Sequence, residues 1–196
     1  MALLTPATDL AAADWITGST TPFEQLITFG PAGFDAYARL RFIPDPLRPG
    51  QDEADVDLPD DHLHDLVQAQ LALHRLAEFT ESAADCFFLV WEGYSDVSFP
   101  RQVTEASLVV LPHRRYALFQ GPLAGIDAFA EPRGSGRSIA PPAFVWPADH
   151  RWCFTSDVDP HWAGIGANIA AIAALLSDAS LDIVPARPDE SQPLYY

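Results

Sequence analysis

The chain predicts an α+β fold, a mostly antiparallel sheet of five to seven strands packed with two main helices. Two observations carry that expectation. Several short stretches alternate apolar and polar residues, as half-buried strands do, and short turns separate them. Only two segments keep the 3.6-residue apolar spacing of a long helix, so strands outnumber helices. At 196 residues and 48% hydrophobic content, the chain can bury its own core without staples.

Residues 1–20 are rich in Ala and Thr and read as a short helix or a loose lead-in before an ordered core over 23–184. Gly30-Pro31-Ala32-Gly33 is a turn, and a strand follows over Phe34–Ile43. There Ala36, Ala38, Leu40 and Phe42 share one face, and Asp35, Tyr37, Arg39 and Arg41 the other. Residues 44–60 hold four prolines and most of an acidic cluster, which makes them a surface loop. A helix is expected from Asp61 to Phe79 with Asp60 as its N-cap and Leu66, Ala69, Leu73 and Leu76 inward.

Cys86–Glu92 is apolar on both faces, which suits a central strand. Strands at Leu108–Leu111 and Arg115–Gln120 are joined by Pro112-His113-Arg114, a hairpin-sized connection. Residues 121–137 read as irregular, with a short helix near Ile126–Phe129. Strands at Trp152–Asp157 and Trp162–Ile165, a helix at Asn168–Leu176 and a closing strand at Leu181–Val184 complete the domain. The Pro-rich tail over 186–196 is expected to be loose.

Eleven Arg, no Lys and 27 Asp+Glu give a net charge of −16. Eight of the acids fall within 45–65, against Arg48 alone. Such a field repels phosphate backbones and anionic lipid, so neither nucleic acid nor membrane is an expected partner, whereas a cationic protein is. Two cysteines without a C-x-x-C and no basic stretch ahead of an apolar run predict a cytoplasmic protein with unpaired thiols.

Four blocks, PAGFDAYARLRF (31–42), CFFLVWEGY (86–94), RRYALFQGPL (114–123) and FVWPADHRWCFTSDVDPHWAGIGA (144–167), carry a resemblance. In order and spacing they resemble a family of uncharacterised proteins from high-G+C bacteria, over most of residues 23–184. The resemblance implies one intact domain and brings no activity, cofactor or site assignment with it.

Among chemically capable groups, Asp157, Asp159 and His161 alternate toward one side of an extended segment with Cys153 and Thr155. They form a binding candidate. One metal ion cannot collect all three on a straight strand, because Asp157 and His161 would lie about 13 Å apart. Cys153 lacks a base on its own face, since His150 is three residues away, and Asp157 would raise its thiol. His62 and His64 are two apart at a helix start and share no face.

Arg39 and Arg41, beside Tyr37, form a second candidate, for a carboxylate or phosphate, with the surrounding acids as competing partners. The tryptophans Trp91, Trp146, Trp152 and Trp162 are core or pocket lining. No residue qualifies as catalytic, and no metal or cofactor is implied. The expectation is a non-catalytic acidic binding protein, immunity-like in neutralising a basic partner. Its alternative is a small enzyme or an anion-binding protein around Cys153, Asp157, Asp159 and His161.

Overall fold

A strand that is apolar on both faces must be covered on both, and Cys86–Trp91 is. The computed structural model describes residues 4–93, 108–129 and 142–195. Among them run nine strands and four helices, more than the five to seven strands and two main helices expected from sequence. The first part of the chain forms β1 (Thr5–Pro6), α1 (Asp14–Thr17), α2 (Phe23–Phe29), β2 (Ala36–Arg41), α3 (Asp65–Leu76) and β3 (Cys86–Trp91). The second forms β4 (Val109–Leu111), β5 (Arg114–Gly121), β6 (Phe144–Pro147), β7 (Trp152–Thr155), β8 (Trp162–Ala167), α4 (Ile169–Leu176) and β9 (Ile183–Ala186).

The strands make one sheet in the order β1-β5-β3-β6-β7-β8-β2-β9, with β4 added to β5, and every pairing is antiparallel. Both ends of that order carry a proline, Pro6 in β1 and Pro185 in β9. Proline withholds a ladder donor, so β1 and β9 are poor templates for pairing with another chain.

Period-two alternation sends side chains to two separate cores. Ala38 and Leu40 of β2, Phe88 of β3 and Trp152 and Phe154 of β7 pack with Leu66, Leu73 and Leu76 of α3 and Ile172 and Leu175 of α4. On the opposite face Leu89, Trp146 and Cys153 pack with Ile16 of α1 and Leu26 and Ile27 of α2. The sheet is therefore helix-covered on both sides, and its middle strands β6, β7 and β8 contain no exposed residue.

α3 starts at Asp65, four residues later than expected, with His64 rather than Asp60 at its N-cap. Residues 59–62 are instead a turn closed by His62 N–H to Pro59 O, 3.0 Å. The buried Gln68 amide donates to Leu63 O (2.8 Å) and Phe42 O (2.9 Å), which ties the pre-helical segment to the end of β2. The hairpin of β4 and β5 turns at Pro112-His113, where His113 adopts φ 60°. α4 begins as expected: the Asn168 side chain accepts from Ala171 N–H at 2.8 Å. Asn168→Ala should lower stability by about 1 kcal/mol in urea unfolding, with Asn168→Asp recovering most of the loss.

Described segments near both termini take part in the fold. Ala13 and Ile16 are buried. The C-terminal segment is held where Trp162 Nε1–H donates to Pro193 O (3.2 Å) and Tyr195 O–H donates to Pro44 O (2.5 Å). Among the described residues no helix is long and apolar enough to cross a membrane.

Candidate functional site

Pairing of β2 with β8 sets Arg39 opposite Gly164 and Arg41 opposite Trp162. The strand alternation therefore aims both guanidinium groups away from the α3/α4 core, as the sequence implies. That face is not open, however: Arg39 is only 5% exposed. Its Nη1 and Nη2 donate to the two oxygens of Asp45 at 2.7 and 3.0 Å. Arg41 bridges two acids, donating from Nη1 to Asp45 (3.2 Å) and from Nε and Nη2 to Asp182 (3.1 and 2.6 Å). His161 Nε2 lies 3.1 Å from Asp45 Oδ1, and the Arg39 guanidinium sits 5.4 Å from the Trp162 ring centre. Tyr195 covers the group edge-on to His161, ring centres 4.7 Å apart.

The electrostatics follow from that packing. Burial alone would raise the Asp45 carboxyl, but hydrogen bonds from Arg39, His161 and Arg41 with the Arg39 charge outweigh it and hold the group at about 2. Burial lowers His161 further than Asp45 raises it, so the imidazole is held below its ordinary range. Burial also works against the Arg41 charge, and Asp182 and Asp45 overcome it. Arg39 Nε and His161 Nδ1 are buried with no hydrogen-bond partner among the described residues. Asp45 thus occupies the position an external carboxylate would take between the arginines. Tyr37 stands apart from them, its hydroxyl accepting from Gly33 and Phe34 N–H.

Asp157 and Asp159 belong to a different neighbourhood. The Asp157 side chain is 9% exposed and lies 3.0 Å from Arg114 Nη2, while Asp159 is 86% exposed and 3.9 Å from the same atom. Arg114 in turn covers the Trp91 ring at 4.9 Å. Burial raises the Asp157 carboxyl although Arg114 opposes it. These acids line a cleft of about 290 Å³ with α2 and the C-terminal segment, a lining that includes neither Cys153 nor His161. The four groups of the enzyme alternative are thus divided between a cleft, a buried ion cluster and the core.

Cys153 is wholly buried against Gly30, where an added Cβ would stand 2.7 Å from its sulfur. Burial pushes its thiol far above the ordinary range. Burial, and then Asp85 and Asp149, push Cys86 up to about 12. His150, at φ 53°, stacks on Trp15 with ring centres 4.2 Å apart. Among the described residues no group of three His, Cys, Asp or Glu is disposed to hold a metal ion.

The acidic loop borders a larger cleft of about 700 Å³, between the end of β2, residues 57–63 and residues 179–182. Asp57, Asp61 and Asp182 line it with Arg41, whose charge Asp45 and Asp182 already engage. Sequence reasoning counted Asp45 only as loop charge and missed Asp182. Asp45 lies only four and six residues from its arginines, among the acids expected to compete for them, whereas nothing local signals Asp182, 141 residues from Arg41. No protein-family model, no curated protein and no solved structure matches this chain.

Proposed function

We propose that this is a non-catalytic binding protein whose acidic surface receives a cationic protein partner, in the manner of an inhibitor that neutralises a basic enzyme. The observation that carries this reading is how the chain distributes its charges. Arg39, Arg41, Arg75, Arg114, Arg115 and Arg187 are each ion-paired with an acid of the same chain. Asp57, Asp60 and Asp61 are exposed and form no ion pair among the described residues. Among the described residues most arginines are thus engaged within the chain, while these three acids face water beside a cleft roomy enough for a partner's side chains. A surface of that sign steers a basic partner over distances that salt screens.

The test is kinetic. A tagged full chain is used to isolate its partner from the source cells, and association is then followed from about 0.05 to about 0.5 M NaCl. The reading expects a basic partner whose association rate falls at least about tenfold over that range. Asp57→Asn/Asp60→Asn/Asp61→Asn should slow association further with little change in dissociation. An association rate indifferent to salt would count decisively against it.

A further inference from the structure

The smaller cleft, between α2, residues 157–162 and the C-terminal segment, joins apolar and charged groups in one concavity of about 290 Å³. Ile27, Phe29 and Trp162 form its base, each of them buried. Exposed Glu24, Asp159 and Glu190 stand at its rim. Two of these carboxylates are available. Glu24 forms no ion pair among the described residues, and Asp159 only reaches Arg114 at 3.9 Å. Glu190 is engaged by Arg187 at 3.0 Å. Among the described residues no Arg or His lines the cleft.

Size and charge narrow what fits. The volume sits at the lower end of small-molecule sites, roughly 300–1,000 Å³, so it accommodates one long side chain rather than a large cofactor. An apolar base under a negative rim complements a side chain with an apolar stem and a cationic head. Between the two candidates arginine fits better than lysine. Its planar guanidinium pairs with carboxylate oxygens through parallel hydrogen bonds and lies flat on aromatic surface.

We infer that this cleft is the anchor site for an arginine side chain of the basic partner. The inference rests on the proposed function and names the group that would be recognised. The C-terminal segment is then a functional wall: Trp162, at the base, holds it in place through Pro193 O.

The full-length chain is titrated with hexaarginine and hexalysine peptides at low salt, read by calorimetry and by amide and indole shifts. Hexaarginine is expected to shift the Trp162 indole and the Ile27 and Leu194 signals, and to bind at least threefold more tightly than hexalysine. Glu24→Gln/Asp159→Asn should weaken it about tenfold. Asp57→Asn/Asp60→Asn/Asp61→Asn, which leaves this cleft intact, should lose less affinity per charge removed. Three results overturn the inference: equal loss per charge in both variants, shifts confined to residues 57–63, or no preference for arginine. In those cases salt-sensitive binding persists and the broader reading survives. No saturable, salt-sensitive binding of either peptide overturns both.

Discussion

Asp45→Ala is expected to destabilise the protein by about 3 kcal/mol, because it leaves Arg39 buried with its charge unmatched. Arg39 loses both oxygens that its Nη1 and Nη2 now reach, and its Nε already lacks a partner. Arg41 keeps Asp182. His161 loses its only hydrogen-bond acceptor in the cluster, and Tyr195 packs on a ring no longer fixed. For a chain of this length the change corresponds to roughly 6–12 °C in Tm, measurable by calorimetry. Asp45→Asn should recover part of it by supplying one carbonyl oxygen.

The same carboxylate makes a pH signature. Its pKa is depressed in the folded state, so the unfolded chain takes up the proton first as acid is added. Its contribution is complete above about pH 4 and lost as pH falls toward about 2. His161 acts in the same sense at higher pH: its pKa is lowered by folding, so stability declines as pH drops below about 6.5. Stability curves of the native chain and Asp45→Ala should converge between pH 4 and 2. Curves that stay parallel through that window would show that Asp45 is not held by the arginines.

Much of the scaffold was legible because it rests on local pattern. The two-sided apolar run of β3 marked a central strand, and β3 lies between β5 and β6. Alternation in β2 separated Ala38 and Leu40 from Arg39 and Arg41. The helix expected at Asn168–Leu176 is α4, Ile169–Leu176. What escaped is set by tertiary contact. α2, seven residues long, is too short for a periodic signature, and α1, four residues within the stretch read as a short helix or a loose lead-in, could not be placed. The helicity of both depends on packing over the sheet. The start of α3 moved because Gln68 binds Leu63 O and Phe42 O.

The candidate site was half legible for the same reason. The arginines could be grouped from strand alternation, but their burial comes from the Asp45 loop and the Tyr195 tail folding over them. Neither closure leaves a mark in the strand itself. Asp157 and Asp159 were recognised as a pair and do share one cleft, yet their neighbours Glu24 and Glu190 come from elements far away in sequence. His161, adjacent in the chain, turns instead to Asp45.

Gly164→Ala should do comparable damage by a steric route. On β8 Trp162, Gly164 and Gly166 occupy one face, and the bare Gly164 lets the α2 backbone approach the sheet closely. A Cβ on Gly164 would stand 1.9 Å from Thr28 O and 2.8 Å from Phe29 Cδ1. The first contact is backbone, which cannot swing aside without moving the end of α2. Thr155 O–H donates to that same Thr28 O, so displacement also breaks the bond joining α2 to β7. We expect a loss of about 3 kcal/mol in urea unfolding. Gly166→Ala makes the contrast: its Cβ would meet the Phe34 ring at 2.4 Å, a half-buried side chain that can rotate. Its loss should be about 1 kcal/mol. Because α2 also supplies Ile27, Phe29 and Glu24 to the smaller cleft, Gly164→Ala should weaken hexaarginine binding while Gly166→Ala leaves it nearly unchanged. Equal destabilisation by both substitutions would mean that α2 is held by its own side chains and not by the bare strand beneath it.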